Sequence, residues 1–155
     1  MNGARTPHSS APDNPASGPR IEKSPARTRE KILRAAIALF SRRGFDGVSV
    51  DAIVARAGVN KRMVYHYFDH KGGLYSAALE SVFSRLSSVE AEVFADDPLP
   101  EVALERIVTA YFHFLRDTPE FVSLLLWENL QGGRHLTALP PAVTKAPLLE
   151  ALGRS

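Results

Sequence analysis

Residues 49–71 read SVDAIVARAGVNKRMVYHYFDHK, and this stretch decides the fold. Ser49 and Asn60 are residue types that cap the first turn of a helix, because their side-chain oxygens accept a hydrogen bond from a free backbone N–H. Gly58 suits the left-handed conformation that often ends a helix. The pattern therefore predicts two short helices, one starting after Ser49 and one covering residues 61–68, joined by a tight turn.

The flanking sequence predicts further helices and no strand of convincing length. A first helix is predicted from Pro25, a residue that suits the first helical position, to Gly44. A long helix is predicted over residues 71–94, where apolar side chains recur at near-heptad intervals. Prolines and glycines then bound a fifth helix, a sixth over about residues 121–130 and a last short one over 143–152. The chain is therefore predicted to be all-α.

The composition excludes several classes of protein. The 155 residues contain no cysteine, which excludes disulfides, thiolate nucleophiles and cysteine-ligated zinc. No apolar run approaches the roughly 18–20 residues that a membrane span requires. The first 25 residues also lack the continuous hydrophobic stretch of a secretory signal. We therefore expect a cytoplasmic protein without a membrane partner.

Charge is distributed unevenly along the chain. Residues 26–73 hold ten basic and four acidic side chains, whereas residues 74–155 hold six basic and eleven acidic ones. A basic segment followed by an acidic one is typical of a polyanion-binding head on a body with another task. Residues 1–24, rich in proline, serine and alanine, are predicted to be a disordered tail. The predicted domains are thus this tail, a head over 25–73 and a body over 74–155.

The second short helix carries side chains that suit duplex DNA. A helix-turn-helix places its second helix in the major groove. Eight residues at about 1.5 Å each give a helix of about 12 Å, which matches the width of that groove. Lys61 and Arg62 can reach guanine acceptors, Asn60 an adenine edge and Met63 a thymine methyl group. The tyrosines at the end of this helix and Lys71 suit phosphate oxygens.

Three segments resemble the TetR family of bacterial transcriptional regulators. They are TREKILRAAIALFSRRGF (28–45), SVDAIVARAGVN (49–60) and VYHYFDHK (64–71), followed by Leu74. The resemblance implies a three-helix helix-turn-helix DNA-binding head, joined by a long fourth helix to a partial helical ligand-binding and dimerisation body. The resemblance also implies that Ser49 contacts a phosphate. The predicted DNA-binding residues are therefore Ser49, Asn60, Lys61, Arg62, Met63, Tyr65, His66, Tyr67 and Lys71.

The chain departs from the family pattern at two places in the head. Tyr67 stands where histidine is common, and its phenol can still donate to a phosphate. Gly72 and Gly73 stand where acidic residues are common, and they are expected to loosen the first turn of the fourth helix. The stretch PEFVSLLLWENL (119–130) resembles the sixth helix in one branch of the family. Family bodies continue beyond this point with dimer-forming helices, so we expect a chain that is short at its C-terminus.

Aromatic residues of the body form a candidate effector pocket. A carboxylate in an apolar helix is costly to bury without a partner, so Glu128 is expected to meet solvent or a specific group. The alternative is that the aromatic residues are ordinary core. The candidate pocket residues are Tyr111, Phe112, Phe121, Trp127 and Glu128.

Histidines give little reason to expect a metal site. His66 and His70 have the i, i+4 spacing of a helical metal pair, but the helix is predicted to end near Phe68, so the two do not share one face. His113 and His135 have no partner recognisable from the sequence. We therefore expect no metal, no cofactor and no enzymatic activity.

Two functional hypotheses follow. The first is a ligand-responsive repressor that binds an inverted-repeat operator as a dimer, with recognition helices about 34–36 Å apart. Its partners would be double-stranded DNA, itself or a related regulator, and a small-molecule effector that shifts the dimer between two spacings. The alternative is a truncated helical interaction protein that pairs with a related regulator and modulates its DNA binding.

Overall fold

The computed structural model describes residues 24–96 and 98–140, and every regular element within these ranges is an α-helix. This confirms the all-α prediction. The predicted helix over 143–152 and nearly all of the predicted tail lie outside the described residues. The six helices are α1 (Pro25–Arg43), α2 (Val50–Ala57), α3 (Lys61–Phe68), α4 (Lys71–Phe94), α5 (Pro100–Asp117) and α6 (Pro119–Leu130).

The starts of α2 and α3 and the end of α2 follow the capping residues that the sequence predicted, whereas the Ser24 side chain, also of a capping type, makes no cap hydrogen bond at the start of α1. Ser49 Oγ accepts a hydrogen bond from the Ala52 backbone N–H at 3.1 Å, and Asn60 Oδ1 accepts one from the Arg62 N–H at 2.9 Å. Gly58 adopts the left-handed conformation with φ 65°, which ends α2 and turns the chain into α3. Local hydrogen bonding thus fixes both ends of the short connection between α2 and α3.

The core lies around α1, which packs against α2, α3, α4 and α6. Fully buried side chains come from each of these helices, among them Phe40 of α1, Ile53 of α2, Val64 of α3 and Leu124 of α6. Because α2 and α3 are only eight residues long, they need this packing to persist as helices. The core therefore holds α3 in a fixed orientation against α1 and α4.

The connection from α3 to α4 is tight, and its geometry corrects one expectation from the sequence. A Cβ atom added to Gly73 would lie 2.2 Å from the Phe68 carbonyl oxygen, whereas one on Gly72 would meet only the His70 ring at 3.0 Å. The Gly73 N–H donates to His70 Nδ1, which caps the helix, and α4 is regular from Lys71 onward. The expected loosening is wrong, because Gly73 instead permits a close backbone approach.

α6 contacts the end of α1 through Trp127. The indole Nε1 donates to the Ser41 carbonyl oxygen at 3.1 Å. This carbonyl lies in the last turn of α1, where helix carbonyls have no partner within the helix. The indole ring also covers Gly44. A Cβ atom at this position would lie 2.9 Å from the ring, so only glycine leaves enough space for the indole. The contact joins α6 to the segment that leads into α2.

None of the helices in the described ranges combines the length and the apolar composition needed to cross a membrane.

Candidate nucleic-acid interface

α3 has one buried face and one exposed face. Val64 and Phe68 are buried in the core, and Tyr65 keeps 49% of its surface exposed. Lys61, Arg62 and His66 are also exposed. The helix therefore presents cationic and aromatic side chains outward while its apolar face anchors it, which is the arrangement that a major-groove reading helix requires.

Lys61 at the start of α3 is paired with α2. Its Nζ lies 2.9 Å from Asp51 Oδ1, and both side chains are exposed. The hydrogen bond to Asp51 and the charge of that carboxylate raise the pKa of Lys61 above its ordinary value. The ammonium therefore stays protonated, and a nucleic acid that binds Lys61 has to share it with Asp51.

Ser49 and Asn60 are both exposed, and both use one acceptor for helix capping. A serine hydroxyl that accepts a hydrogen bond retains its own O–H to donate, and the amide of Asn60 retains its NH₂ group. Each cap can therefore also donate to a phosphate or a base edge without giving up the cap.

Met63 and Tyr67 are less exposed than the other predicted DNA-binding residues of α3. Both are partly buried and pack against the core. The Tyr67 ring lies edge to face with His66, with ring centroids 4.8 Å apart. Their packed position leaves the outer edge of each side chain, rather than the whole of it, available for contact.

Lys71 opens α4 directly beside the end of α3. It is half-buried, and its Nζ lies 4.3 Å from the centroid of the Phe45 ring. An ammonium at this distance from an aromatic face is attracted by the negative charge of the π system. Phe45, which follows α1, therefore fixes the position of the Lys71 charge, a contact that the sequence analysis did not identify.

The five candidate effector residues are not gathered around one cavity. Phe121 is core, with its ring 5.0 Å from Phe83 and 5.2 Å from Phe114. Phe112 points outward with 64% of its surface exposed. Trp127 packs on the end of α1. The interpretation of aromatic residues as core thus describes Phe121, whereas Trp127 is partly buried at the contact between α6 and α1 and Phe112 belongs to an exposed surface.

Tyr111 has a buried acidic partner on α4. Its hydroxyl donates to Glu90 Oε1, and Glu90 is completely buried. Burial, followed by the hydrogen bond to Glu90, raises the pKa of Tyr111 above its ordinary value. Glu90 could not be recognised from the sequence, because an acidic residue within a long helix is typically a solvated one.

Glu128 is also completely buried, and it meets a specific group as expected of a buried carboxylate. Its Oε1 lies 3.1 Å from His135 Nδ1, and Oε2 accepts from the backbone N–H groups of His135 and Leu136. His135, which has no partner recognisable from the sequence, thus has one in the structure. The sequence does not indicate this pair because the chain reverses direction between Glu128 and His135, at Gly132 and Gly133 with φ 75° and 69°.

A cleft of the described body lies elsewhere, between α4 and α5. It has a volume of about 580 Å³ and opens widely to solvent. None of the five candidate effector residues lines it. Its walls are formed by Val89, Glu92, Val93, Glu105, Arg106, Thr109, Ala110 and His113.

His66 and His70 belong to different helices. His66 lies on α3, and His70 caps α4 through Nδ1. Within residues 24–96 and 98–140, no three histidine or acidic side chains come together as metal ligands.

Comparison with known proteins agrees with this architecture. Residues 32–78, which contain α2 and α3, match the family described as "Bacterial regulatory proteins, tetR family". Residues 100–155 match the description "Tetracyclin repressor-like, C-terminal domain". The chain belongs to the TetR family.

Named relatives within this family are transcriptional regulators. The chain is 38% identical over 109 residues to the HTH-type transcriptional repressor NicS of Pseudomonas putida, covering 70% of this chain and 51% of NicS. It is 32% identical over 111 residues to the HTH-type transcriptional repressor SCO4008 of Streptomyces coelicolor, covering 72% and 54%. The chain thus spans about half the length of these curated relatives.

Solved structures of the family share the fold. A mutant of HlyIIR superimposes with a TM-score of 0.67 at 27% identity, over 79% of this chain and 66% of the other. A TetR-family transcriptional regulator from Streptomyces coelicolor superimposes with a TM-score of 0.59 at 30% identity, over 83% of this chain and 57% of the other.

Proposed function

We propose that this chain is a sequence-specific DNA-binding transcriptional regulator, and more narrowly a ligand-responsive repressor. The observation that carries the proposal is α3, whose apolar face is anchored in the core while its cationic and aromatic face is open. The names of NicS and SCO4008 as repressors support the direction of regulation. They also favour this function over the alternative of an interaction protein that acts only by pairing with a relative.

The residues of the interface would divide into two tasks. Asn60, Lys61 and Arg62 at the start of α3, with the outer edge of Met63, would meet base edges in the major groove. Phosphates would be held by the remaining predicted residues, which position the protein without specifying sequence. These are Ser49, Tyr65, His66, Tyr67 and Lys71.

The proposed division of labour follows the charge of the chain. Residues 25–73 would bind DNA, and residues 74–155 would bind the effector and the second subunit. A dimer would place two α3 helices about 34–36 Å apart on an inverted repeat. A small-molecule effector would act by favouring a different spacing. In this function the chain is not an enzyme, and it works in the cytoplasm, where bacterial DNA lies.

Selection of random duplex DNA by the purified chain, followed by sequencing, tests the proposal. Enrichment of an inverted repeat is the expected result and would also supply the operator. Enrichment of a single half-site would retain sequence-specific binding but contradict dimeric binding by this chain. Recovery of unenriched sequence would overturn sequence-specific recognition.

Lys71→Ala tests the phosphate contact. Loss of one ammonium–phosphate contact per subunit should lower affinity about five- to tenfold for each bound subunit and reduce the slope of log K against log salt by about 0.9 per subunit, or about 1.8 for a dimer. Arg106→Ala is the matched control, because Arg106 carries the same charge on the body, in an exposed pair with Asp96. Equal slopes for Lys71→Ala and the wild type would refute the contact. Lys61→Ala or Arg62→Ala should additionally change the preferred sequence.

A further inference from the structure

The turn that follows α6 is tied to that helix by a buried carboxylate. Glu128 accepts from the His135 and Leu136 backbone N–H groups at 3.1 and 3.0 Å, and its other oxygen faces the His135 ring. A carboxylate removed from water is stable only if its lone pairs are satisfied in this way. The imidazole of His135 is therefore held in one place and one orientation.

The held imidazole is part of a cluster of three rings, those of Phe45, Tyr75 and His135, which meet edge to face or tilted. The His135 ring centroid lies 4.8 Å from that of Phe45 and 4.8 Å from that of Tyr75. Phe45 and Tyr75 lie 5.1 Å apart. Phe45, which leaves α1 toward α2, thus contacts the turn that follows α6.

Phe45 in turn contacts a predicted DNA-binding residue. The Lys71 ammonium lies 4.3 Å from the Phe45 ring centroid, within the distance of about 6 Å at which a cation–π contact operates. Such a contact depends on where the ring is, so a displacement of Phe45 releases or moves the ammonium. His135 and Lys71 are therefore connected through a single aromatic ring.

We propose that His135 is a positioning residue for DNA binding: its ring, held by Glu128, keeps Phe45 where it presents the Lys71 ammonium to a phosphate. This rests on the proposed function, because Lys71 matters only if it meets DNA. The inference assigns a role in DNA binding to a residue of the segment after α6, which does not itself face the α3 surface. The competing explanation is that His135 only fills space in the core.

Two variants of His135 separate the two explanations. His135→Gln keeps a donor for Glu128 but removes the ring, whereas His135→Phe keeps a ring and removes the donor. Each is made in the wild-type chain and in Lys71→Ala, and binding to a mixed-sequence duplex of about 20 base pairs, two turns, is measured at several salt concentrations. Thermal unfolding by circular dichroism is recorded for every variant. The matched control is His113→Gln, which replaces an exposed histidine on α5.

The expected result is a loss that depends on Lys71. His135→Gln should lower DNA affinity about two- to fivefold in the wild-type chain, as expected for a cation–π contact, and should have no effect in Lys71→Ala. His113→Gln should bind as the wild type does, whereas His135→Phe, whose ring no longer bonds to Glu128, should lose affinity only where Lys71 is present, and less of it than His135→Gln does. If His135→Gln does not fold, His135→Leu fills the same space without a ring and carries the same expectation.

Three outcomes would overturn the inference, and they are distinguishable. Equal losses with and without Lys71 would show that His135 acts by another route. Unchanged affinity of the folded ringless variant would show that the ring is only packing. Finally, if the wild type binds with a salt dependence that Lys71→Ala leaves unchanged, the proposed Lys71 contact itself fails, and the role of His135 fails with it.

Discussion

Replacement of Gly73 by alanine should destabilise the chain, although alanine favours a helix. The new Cβ would lie 2.2 Å from the Phe68 carbonyl oxygen, a backbone atom that cannot move without shifting the end of α3. Overpacking of this kind typically costs about 1–3 kcal/mol, and the gain in helix propensity returns about 1 kcal/mol. Because an approach of 2.2 Å is severe, we expect the upper part of the range and a net loss of about 2 kcal/mol.

The neighbouring glycine supplies a matched control. A Cβ on Gly72 would meet the His70 ring at 3.0 Å, and a side chain can rotate away where a backbone carbonyl cannot. That rotation gives up the bond from the Gly73 N–H to His70 Nδ1, which costs about as much as the propensity gain. Gly72→Ala should therefore leave the free energy of unfolding nearly unchanged, within about 0.5 kcal/mol.

Urea unfolding followed by far-ultraviolet circular dichroism measures both variants. For a slope of about 2 kcal/mol per molar urea, Gly73→Ala should shift the midpoint down by about 1 M. Its DNA affinity should fall as well, because the shift displaces α3 relative to Lys71. Equal stability of Gly73→Ala and Gly72→Ala would refute the predicted clash with the Phe68 carbonyl.

Two further predictions concern the contacts of α6 and α4. Trp127→Phe should keep most of the apolar contact over Gly44 but leave the Ser41 carbonyl without its hydrogen-bond donor. The free energy of unfolding, measured by urea titration, should therefore fall by about 1 kcal/mol. An unchanged midpoint would show that water replaces the indole as donor. Burial, followed by the charge of Glu128, raises the pKa of Tyr75 above its usual value. Because the pKa of Tyr75 is higher in the folded than in the unfolded chain, its neutral phenol contributes to the free energy of unfolding below about pH 10. This contribution is lost as the pH rises further, at up to about 1.4 kcal/mol per pH unit. Tyr75→Phe should lose less stability than the wild type between about pH 10 and 12, and parallel losses would contradict the cause given for the shift.

The helices could be predicted because their signals are local. Ser49, Gly58 and Asn60 act on backbone groups within a few residues of themselves, so a short window of sequence contains both partners of each bond. The same holds for Pro25 at the start of α1. The exposed face of α3 could be predicted for the same reason, since Val64 and Phe68 mark the opposite side of one helix.

The contacts between distant segments could not be predicted from the sequence. The Trp127 indole and the Ser41 carbonyl are 86 positions apart, and nothing near either residue indicates the other. Glu128 and His135 are close in sequence, but a reversal at two glycines brings them together, and no regular period describes that path. The cleft between α4 and α5 could not be predicted because the residues that line it, partly apolar and partly polar, have the pattern of ordinary helix faces.

The contact between α6 and α1 also provides an intrinsic optical probe. Trp127 is the only tryptophan in the chain, so all indole emission comes from this one contact with Ser41 and Gly44. A ligand that shifts α6 against α1 would change the polarity around the indole and move the emission maximum without any label. Titration of candidate effectors can therefore be followed by intrinsic fluorescence of the unmodified protein.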